Sequence, residues 1–192
     1  PLLLNVKKVI PYSGTTNFNP RDHQRGRLYK AQDQCDHFQK GIQFRTLEEM
    51  QAYTDALITS DEFREQFGNL RHLTIKGNRS KSKSVARVGD GIICISDRMR
   101  DEQTLLHEIA HHITWNQPAY IKNNQQAHGA WYAYILLMLV RMKMGNDAAE
   151  KLANAFDAHK VQWREGKERF EEMQWFNRTI ANKTGVDVQT QA

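Results

Sequence analysis

The segment "LLHEIAHHIT", residues 105–114, constrains the fold of this 192-residue chain more than any other stretch. Apolar residues recur in it at the i, i+3, i+4 and i+7 spacing that forms one face of an α-helix. The four positions are Leu106, Ile109, Ala110 and Ile113. This pattern predicts a helix that packs one face against a core. His107 and His111 then lie on the opposite face, where we expect a cleft.

The two histidines belong to a His-Glu-x-x-His motif. Side chains four residues apart on a helix differ in direction by only about 40°, so both imidazoles can reach one metal ion. Glu108 lies beside them, where a general base acting on a water molecule is needed. His112 points between Glu108 and the apolar face, and we expect it to be a hydrogen-bonded core residue. The alternative is a surface helix with chance histidines, which the apolar face opposite His107 and His111 disfavours.

A catalytic zinc site normally has three protein ligands and an open position. The two cysteines are isolated from each other, so the ligands must be histidines or carboxylates. His128 is the predicted third ligand, with sixteen residues between it and His111. Pro118 ends the first helix, and the loop that follows is long enough for the next helix to fold back. Glu150 and Asp157 are alternatives, although their positions are more typical of a solvated helix surface.

Capping and turn residues divide the rest of the chain into helices and a small sheet. Further helices are predicted after Asn19-Pro20, from Thr46, from Ser60, over 125–144 and after Asn146. Strands are predicted at 73–76, 84–88 and 91–96. The predicted fold class is α+β: a small antiparallel sheet of about three strands with several helices, including a helix pair that binds the metal.

Length and composition predict one domain, because 192 residues with 40% apolar content can bury a single core. We expect this domain at residues 20–160, after an extension at 1–19. Residues 161–192 are predicted to form a charged helix up to 176 and a disordered polar end. No run approaches about 18 apolar residues and lysines follow the opening leucines, so we expect no membrane span, no signal peptide and a cytoplasmic location.

Four segments together resemble an uncharacterised metallohydrolase family of actinobacteria and their bacteriophages. They are "RDHQRGRLYKAQ", "RTLEEMQAYTDALITSDEFREQF", "LLHEIAHHIT" and "AHGAWY". More distantly, a His-Glu-x-x-His helix followed by His-Gly-x-x-aromatic is similar to the SprT-like zinc peptidases. The resemblance covers about residues 20–160. It implies a zincin-like fold, a zinc ion, and a place in the bacterial host cytoplasm or in a virion.

One departure from the family pattern concerns the lining of the site. Family members commonly have His-Gly-Pro-x-Phe, whereas residues 128–132 here are His-Gly-Ala-Trp-Tyr. The ligand and the glycine are kept, so the departure bears on the lining of the pocket more than on metal binding. In zincin-type peptidases the strand before the motif helix pairs with an extended substrate, and the resemblance assigns that role to "GIICIS", residues 91–96.

The chemistry of such a site predicts a role for each residue. Zinc held by His107, His111 and His128 lowers the pKa of a water molecule to about 7, and Glu108 takes its proton. An oxyanion donor is also needed. Three side chains could supply it, and the sequence does not separate them: Tyr120, Tyr132 and His72.

Three functional hypotheses follow. The first is a zinc-dependent hydrolase, foremost a peptidase, acting on a peptide or protein substrate. The second is a catalytically inactive zinc-binding structural or virion-associated phage protein, with a protein partner on 1–19 or 161–192; the intact Glu108 argues against it.

The third is a nucleic-acid-associated protein that uses a basic hairpin within residues 71–100. This segment contains eight Lys or Arg and only two Asp. Its candidate phosphate contacts are Arg71, Lys76, Arg79, Lys81, Lys83 and Arg87. A solvated loop tip is favoured over this role, because no aromatic residue lies between the charges to stack on bases.

Overall fold

The computed structural model describes residues 22–35, 41–78, 84–116 and 126–184, with side chains described as far as residue 174. Seven helices and three strands form within these ranges. They are α1 (Arg25–Asp33), α2 (Leu47–Thr59), α3 (Asp61–Phe67), β1 (Thr74–Asn78), β2 (Val85–Arg87), β3 (Ile92–Ser96), α4 (Glu102–Trp115), α5 (Ala130–Met144), α6 (Asn146–Ala158) and α7 (Arg164–Thr184). The fold class is α+β, as predicted. None of the helices in these ranges is long and apolar enough to cross a bilayer.

The sheet has the strand order β1-β3-β2 and is mixed. β2 is antiparallel to β3, with Ala86 opposite Ile93, whereas β1 runs parallel to β3, with Thr74 opposite Ile92. The prediction of three strands is confirmed, but the prediction of an antiparallel sheet is wrong for β1. β3 is apolar and occupies the central position, where Ile93 is completely buried, so β1 and β2 flank it and do not pair with each other. The turn closed by Asp90 N–H and the Arg87 carbonyl places β2 on one edge of β3, so β1 occupies the other edge.

This strand order contradicts two predictions. β3 has both edges occupied, so "GIICIS" cannot pair with a substrate as predicted. β1 and β2 lie at opposite edges and do not form the predicted basic hairpin. The outer edge of β1 is covered by Gln51 of α2, whose side chain donates to the Leu73 carbonyl and accepts from Ile75 N–H, both at 2.8 Å.

Side-chain caps start three of the helices. Oxygen atoms of Thr46, Ser60 and Asp101 accept hydrogen bonds from the third backbone N–H of α2, α3 and α4, respectively. The predicted helix starts at Thr46 and Ser60 are confirmed. Asn19 and Pro20 themselves lie outside the described residues, so the helix predicted after them can be compared only from residue 22 onward.

Three predicted helix limits are wrong. α1 begins only at Arg25, because residues 22–24 bond to other parts of the chain. α5 begins at Ala130 instead of 125, and a turn at residues 126–129 precedes it. α7 continues to Thr184, through the start of the segment predicted to be disordered.

The core surrounds α5, which is apolar on all sides up to Val140 and packs against α4, α6 and α7. The predicted apolar face of α4 is buried in it, with no residue more than 1% exposed. α7 approaches α5 closely: a Cβ atom added at Gly166 would lie 2.1 Å from the Ala130 carbonyl oxygen. Phe170 of α7 is also buried in this core. The start of α7 therefore packs directly against the start of α5, beside His128.

Candidate metal centre

The structure brings the three predicted ligands together. His107 and His111 project from successive turns of α4, and His128 projects from the turn before α5. One nitrogen of each imidazole lies within 4.8 Å of the others. The Nε2 atoms of His107 and His128 are 3.3 Å apart. These three side chains could hold a metal ion, although the third comes from a turn and not from the predicted second helix.

Two acceptors fix the orientation of these rings. Gln32 Oε1 lies 3.3 Å from His107 Nδ1, and Asp22 Oδ2 lies 2.5 Å from His128 Nδ1. An amide oxygen and a carboxylate accept hydrogen bonds, so each Nδ1 carries the proton and each Nε2 presents a lone pair. Gln24 adds a 2.6 Å hydrogen bond from its side chain to the His128 carbonyl. These bonds account for the late start of α1.

The spacing of the lone pairs suits a metal. Two lone pairs facing each other at 3.3 Å repel unless a cation lies between them. A tetrahedral ion with metal–nitrogen distances of about 2.0–2.1 Å separates two nitrogen ligands by about 3.3 Å. Burial, together with repulsion from His128, lowers the pKa of His111 to about 3. Burial also lowers the pKa values of His107 and His128, so all three rings are neutral at pH 7, the form that binds metal.

Glu108 lies between α4 and β2, where it is only 5% exposed. Its carboxylate accepts a hydrogen bond from the backbone N–H of Ala86 in β2, and burial raises its pKa to about 7. A carboxyl group with this pKa exchanges a proton readily near neutral pH. The sequence did not predict this burial, which results from the packing of β2 over α4.

His112 is separate from the three-histidine cluster. It is 2% exposed and bonded to the Ile92 carbonyl, and burial lowers its pKa to about 4. This is the hydrogen-bonded core histidine that the apolar pattern predicted. The two alternative ligands are also placed elsewhere: Glu150 is exposed on α6, and Asp157 bonds to Arg164 at 2.6 Å.

The candidate oxyanion donors lie in different surroundings. Tyr132 is fully buried, with its ring centroid 4.5 Å from that of His111, and its hydroxyl donates to the His107 carbonyl at 3.1 Å. This bond ties α5 to α4, so the hydroxyl is already used. His72 is exposed and pairs with Asp55 at 3.3 Å, and it makes no ring contact with the cluster in the described part of the chain. Tyr120 lies outside the described residues.

Two functional candidates on α1 were missed from the sequence. The ring of Tyr29 stacks on His107 with a centroid distance of 5.4 Å and lies 5.5 Å from that of His128. The Arg25 guanidinium lies over the Tyr29 ring, 5.6 Å from its centre. Burial, more than any charge, raises the pKa of Tyr29. A signal existed: Arg25, Tyr29 and Gln32 follow the i, i+4, i+7 spacing of one helical face.

The structure describes three of the six predicted phosphate-binding residues, and two of these three lie on opposite edges of the sheet. Lys76 is exposed on β1, and Arg87, on β2 at the other edge of the sheet, pairs with Asp90 at 2.6 Å. Arg71 donates to the Val88 carbonyl. Three of the six predicted residues lie outside the described residues: Arg79, Lys81 and Lys83.

Comparisons with known proteins do not assign the chain to a family. No family model, no curated protein and no solved structure matches it. The resemblance to the phage and actinobacterial metallohydrolases therefore rests on the quoted motifs and stays a prediction.

Proposed function

We propose that the protein is a zinc-dependent hydrolase that cleaves peptide bonds. The observation that carries the proposal is the burial of Glu108 on α4, the same helix that supplies two of the three imidazoles of one potential metal site. Three nitrogen ligands leave one position of a tetrahedral ion open, which is typical of catalytic sites and not of structural ones.

Each side chain has a separate role in this proposal. A zinc ion, when bound, lowers the pKa of a water molecule to about 7 and polarises a carbonyl group. Glu108 removes a proton from the attacking water and then delivers it to the leaving amine, for which its pKa of about 7 is well matched. Gln32 and Asp22 keep the histidine rings in the tautomer that presents Nε2.

The experiment compares the native chain with Glu108→Gln. Both proteins should contain about one zinc ion after purification, and only the native chain should cleave unstructured proteins or peptides. Losing one general base typically lowers a rate by about 10² to 10⁴. The matched control is Glu150→Gln, the same substitution on an exposed face of α6. Equal hydrolysis by the native chain and Glu108→Gln would contradict the proposal.

The structural alternative predicts a different result from the same preparations. A zinc-binding scaffold would hold the metal tightly and cleave none of the substrates. Nucleic-acid binding has less support, because Lys76 and Arg87 are at opposite edges of the sheet. The protein should bind duplex and single-stranded DNA weakly, and the affinity should decrease steeply as the salt concentration rises.

A further inference from the structure

We propose that Arg25 and Tyr29 form a subsite beside the three histidines that binds a carboxylate group of the substrate. The inference rests on the proposed hydrolase function and narrows it. The substrate would be a peptide that carries a carboxylate close to the bond that is cleaved, either its C-terminus or an acidic side chain.

The first support is the position of the two residues. Tyr29 is 38% exposed, and its ring lies against both His107 and His128, so it forms one wall of the metal centre. Arg25 is exposed one helical turn earlier on the same face and lies 5.6 Å from the Tyr29 ring. A group bound in front of the histidines would therefore meet a guanidinium and a phenol hydroxyl on the same side.

The second support is the lack of a carboxylate partner for Arg25 in the described ranges. Asp22 is the acidic residue on this side of the cluster, and its Oδ2 atom is bonded to His128. Its Oδ1 atom has no hydrogen-bond partner there, so Arg25 is not bonded to it. Among the described residues Arg25 thus has no carboxylate partner, and a guanidinium can bind a carboxylate in bidentate geometry.

The third support is electrostatic. The Arg25 guanidinium lies over the Tyr29 ring, which itself stacks on His107, so its positive charge lies beside the three-histidine cluster. A positive charge at this place opposes the binding of a metal cation. A carboxylate bound between the metal and Arg25 would be attracted by both charges. The site therefore discriminates in favour of negatively charged substrates.

The test uses two small probes that differ only in charge. Succinic acid monohydroxamate carries a zinc-binding hydroxamate and a carboxylate, and its amide counterpart carries an uncharged carboxamide of the same size. Affinities for the zinc-loaded full chain are measured by titration calorimetry. We expect the native chain to prefer the carboxylate about tenfold, as one charge-assisted pair typically provides. The preference should vanish in Arg25→Gln and weaken in Tyr29→Phe.

Arg27→Gln is the matched control. Arg27 is also on α1 but lines a different cavity, together with Asp157 and Lys160, and should keep the full preference. Zinc affinity gives a second readout, since Arg25→Gln should bind zinc more tightly than Arg27→Gln does.

The outcomes separate this inference from the proposed function. If the native chain binds zinc and binds the two probes with equal affinity, the subsite is wrong but the proposed hydrolase function is not affected. The same conclusion follows if Arg25→Gln keeps the full preference for the carboxylate probe. A chain that binds neither zinc nor the probes would overturn both. Competition by short peptides then identifies the source of the carboxylate. The subsite is supported if a peptide with a free C-terminus competes better than its amidated form, or if a peptide containing glutamate competes better than the same peptide containing glutamine. The absence of a difference in both pairs counts against it.

Discussion

The candidate metal centre has two walls of very different origin. The α4 wall carries His107, Glu108 and His111 within five consecutive residues, and a short motif is sufficient to identify it. The opposite wall consists of α1, the residues just before it and the His128 turn, and these segments meet across sequence separations of 104 and 106 residues. A short sequence motif can identify only those candidate ligands that lie on the same helix. The groups that orient those ligands come from distant segments, where only the folded chain brings them together.

The largest expected effect tests whether the second wall supplies a ligand. Replacing His128 by alanine should lower zinc affinity by more than about 100-fold, which exceeds the usual effect of removing a partner of a ligand. His112→Ala, a change of the same type at a histidine outside the cluster, should lower it far less. Competition with a fluorescent chelator measures both. If the two variants retained zinc equally, the assignment of His128 as a ligand would be wrong.

The burial of Glu108 in the α4 wall predicts a pH-dependent change in stability. Its pKa rises from 4.5 to about 7 on folding, so the stabilisation from its protonated form is complete below pH 4.5 and is lost as the pH rises through 7. Relative to the native chain, metal-free Glu108→Gln should therefore gain about 2 to 3 kcal/mol of unfolding free energy between pH 5 and pH 8. Denaturant unfolding at both pH values measures the gain. Glu150→Gln should show no such trend, and a pH-independent result for Glu108→Gln would contradict the burial.

A smaller effect is expected for the groups that orient the ligands. Asp22→Ala and Gln32→Ala should each weaken zinc binding by about 10- to 100-fold, because the His128 and His107 rings lose the acceptors that fix their tautomers. Gln34→Ala is the control, since Gln34 bonds to His159 at 2.7 Å and not to a ligand. If Asp22→Ala and Gln32→Ala bind zinc as tightly as Gln34→Ala does, these side chains contribute to packing and do not orient the ligands.

The smallest effect distinguishes the two tyrosines of the site. Tyr132→Phe removes the hydrogen bond to the His107 carbonyl and should cost about 1 kcal/mol of stability. Hydrolysis per bound zinc should not change, because the Tyr132 hydroxyl is already used between α4 and α5. A loss of turnover with normal stability would instead make Tyr132 the oxyanion donor.

The sequence predicted the parts of the fold that depend on local pattern. The buried face of α4, the starts at Thr46 and Ser60, the three strands and the convergence of His128 with the motif all follow from spacing and capping. The direction of β1 could not be predicted, because it depends on which edge of β3 remains open. The limits of α1 and α5 were missed for a similar reason: Gln24 and His128 bond to each other across 104 residues and hold both segments outside their helices.

The attachment of α1 to the metal centre has a thermodynamic consequence. A helix of nine residues is too short to be stable alone in water, so α1 depends on what it is docked against. Two of its attachments, through Gln32 and the preceding Asp22, end on histidines that could hold the metal. Occupancy of the site and docking of α1 are therefore reciprocally linked, and each must strengthen the other by the same factor. Protection of the α1 backbone from protease or from hydrogen exchange becomes a gauge of metal occupancy that needs no substrate.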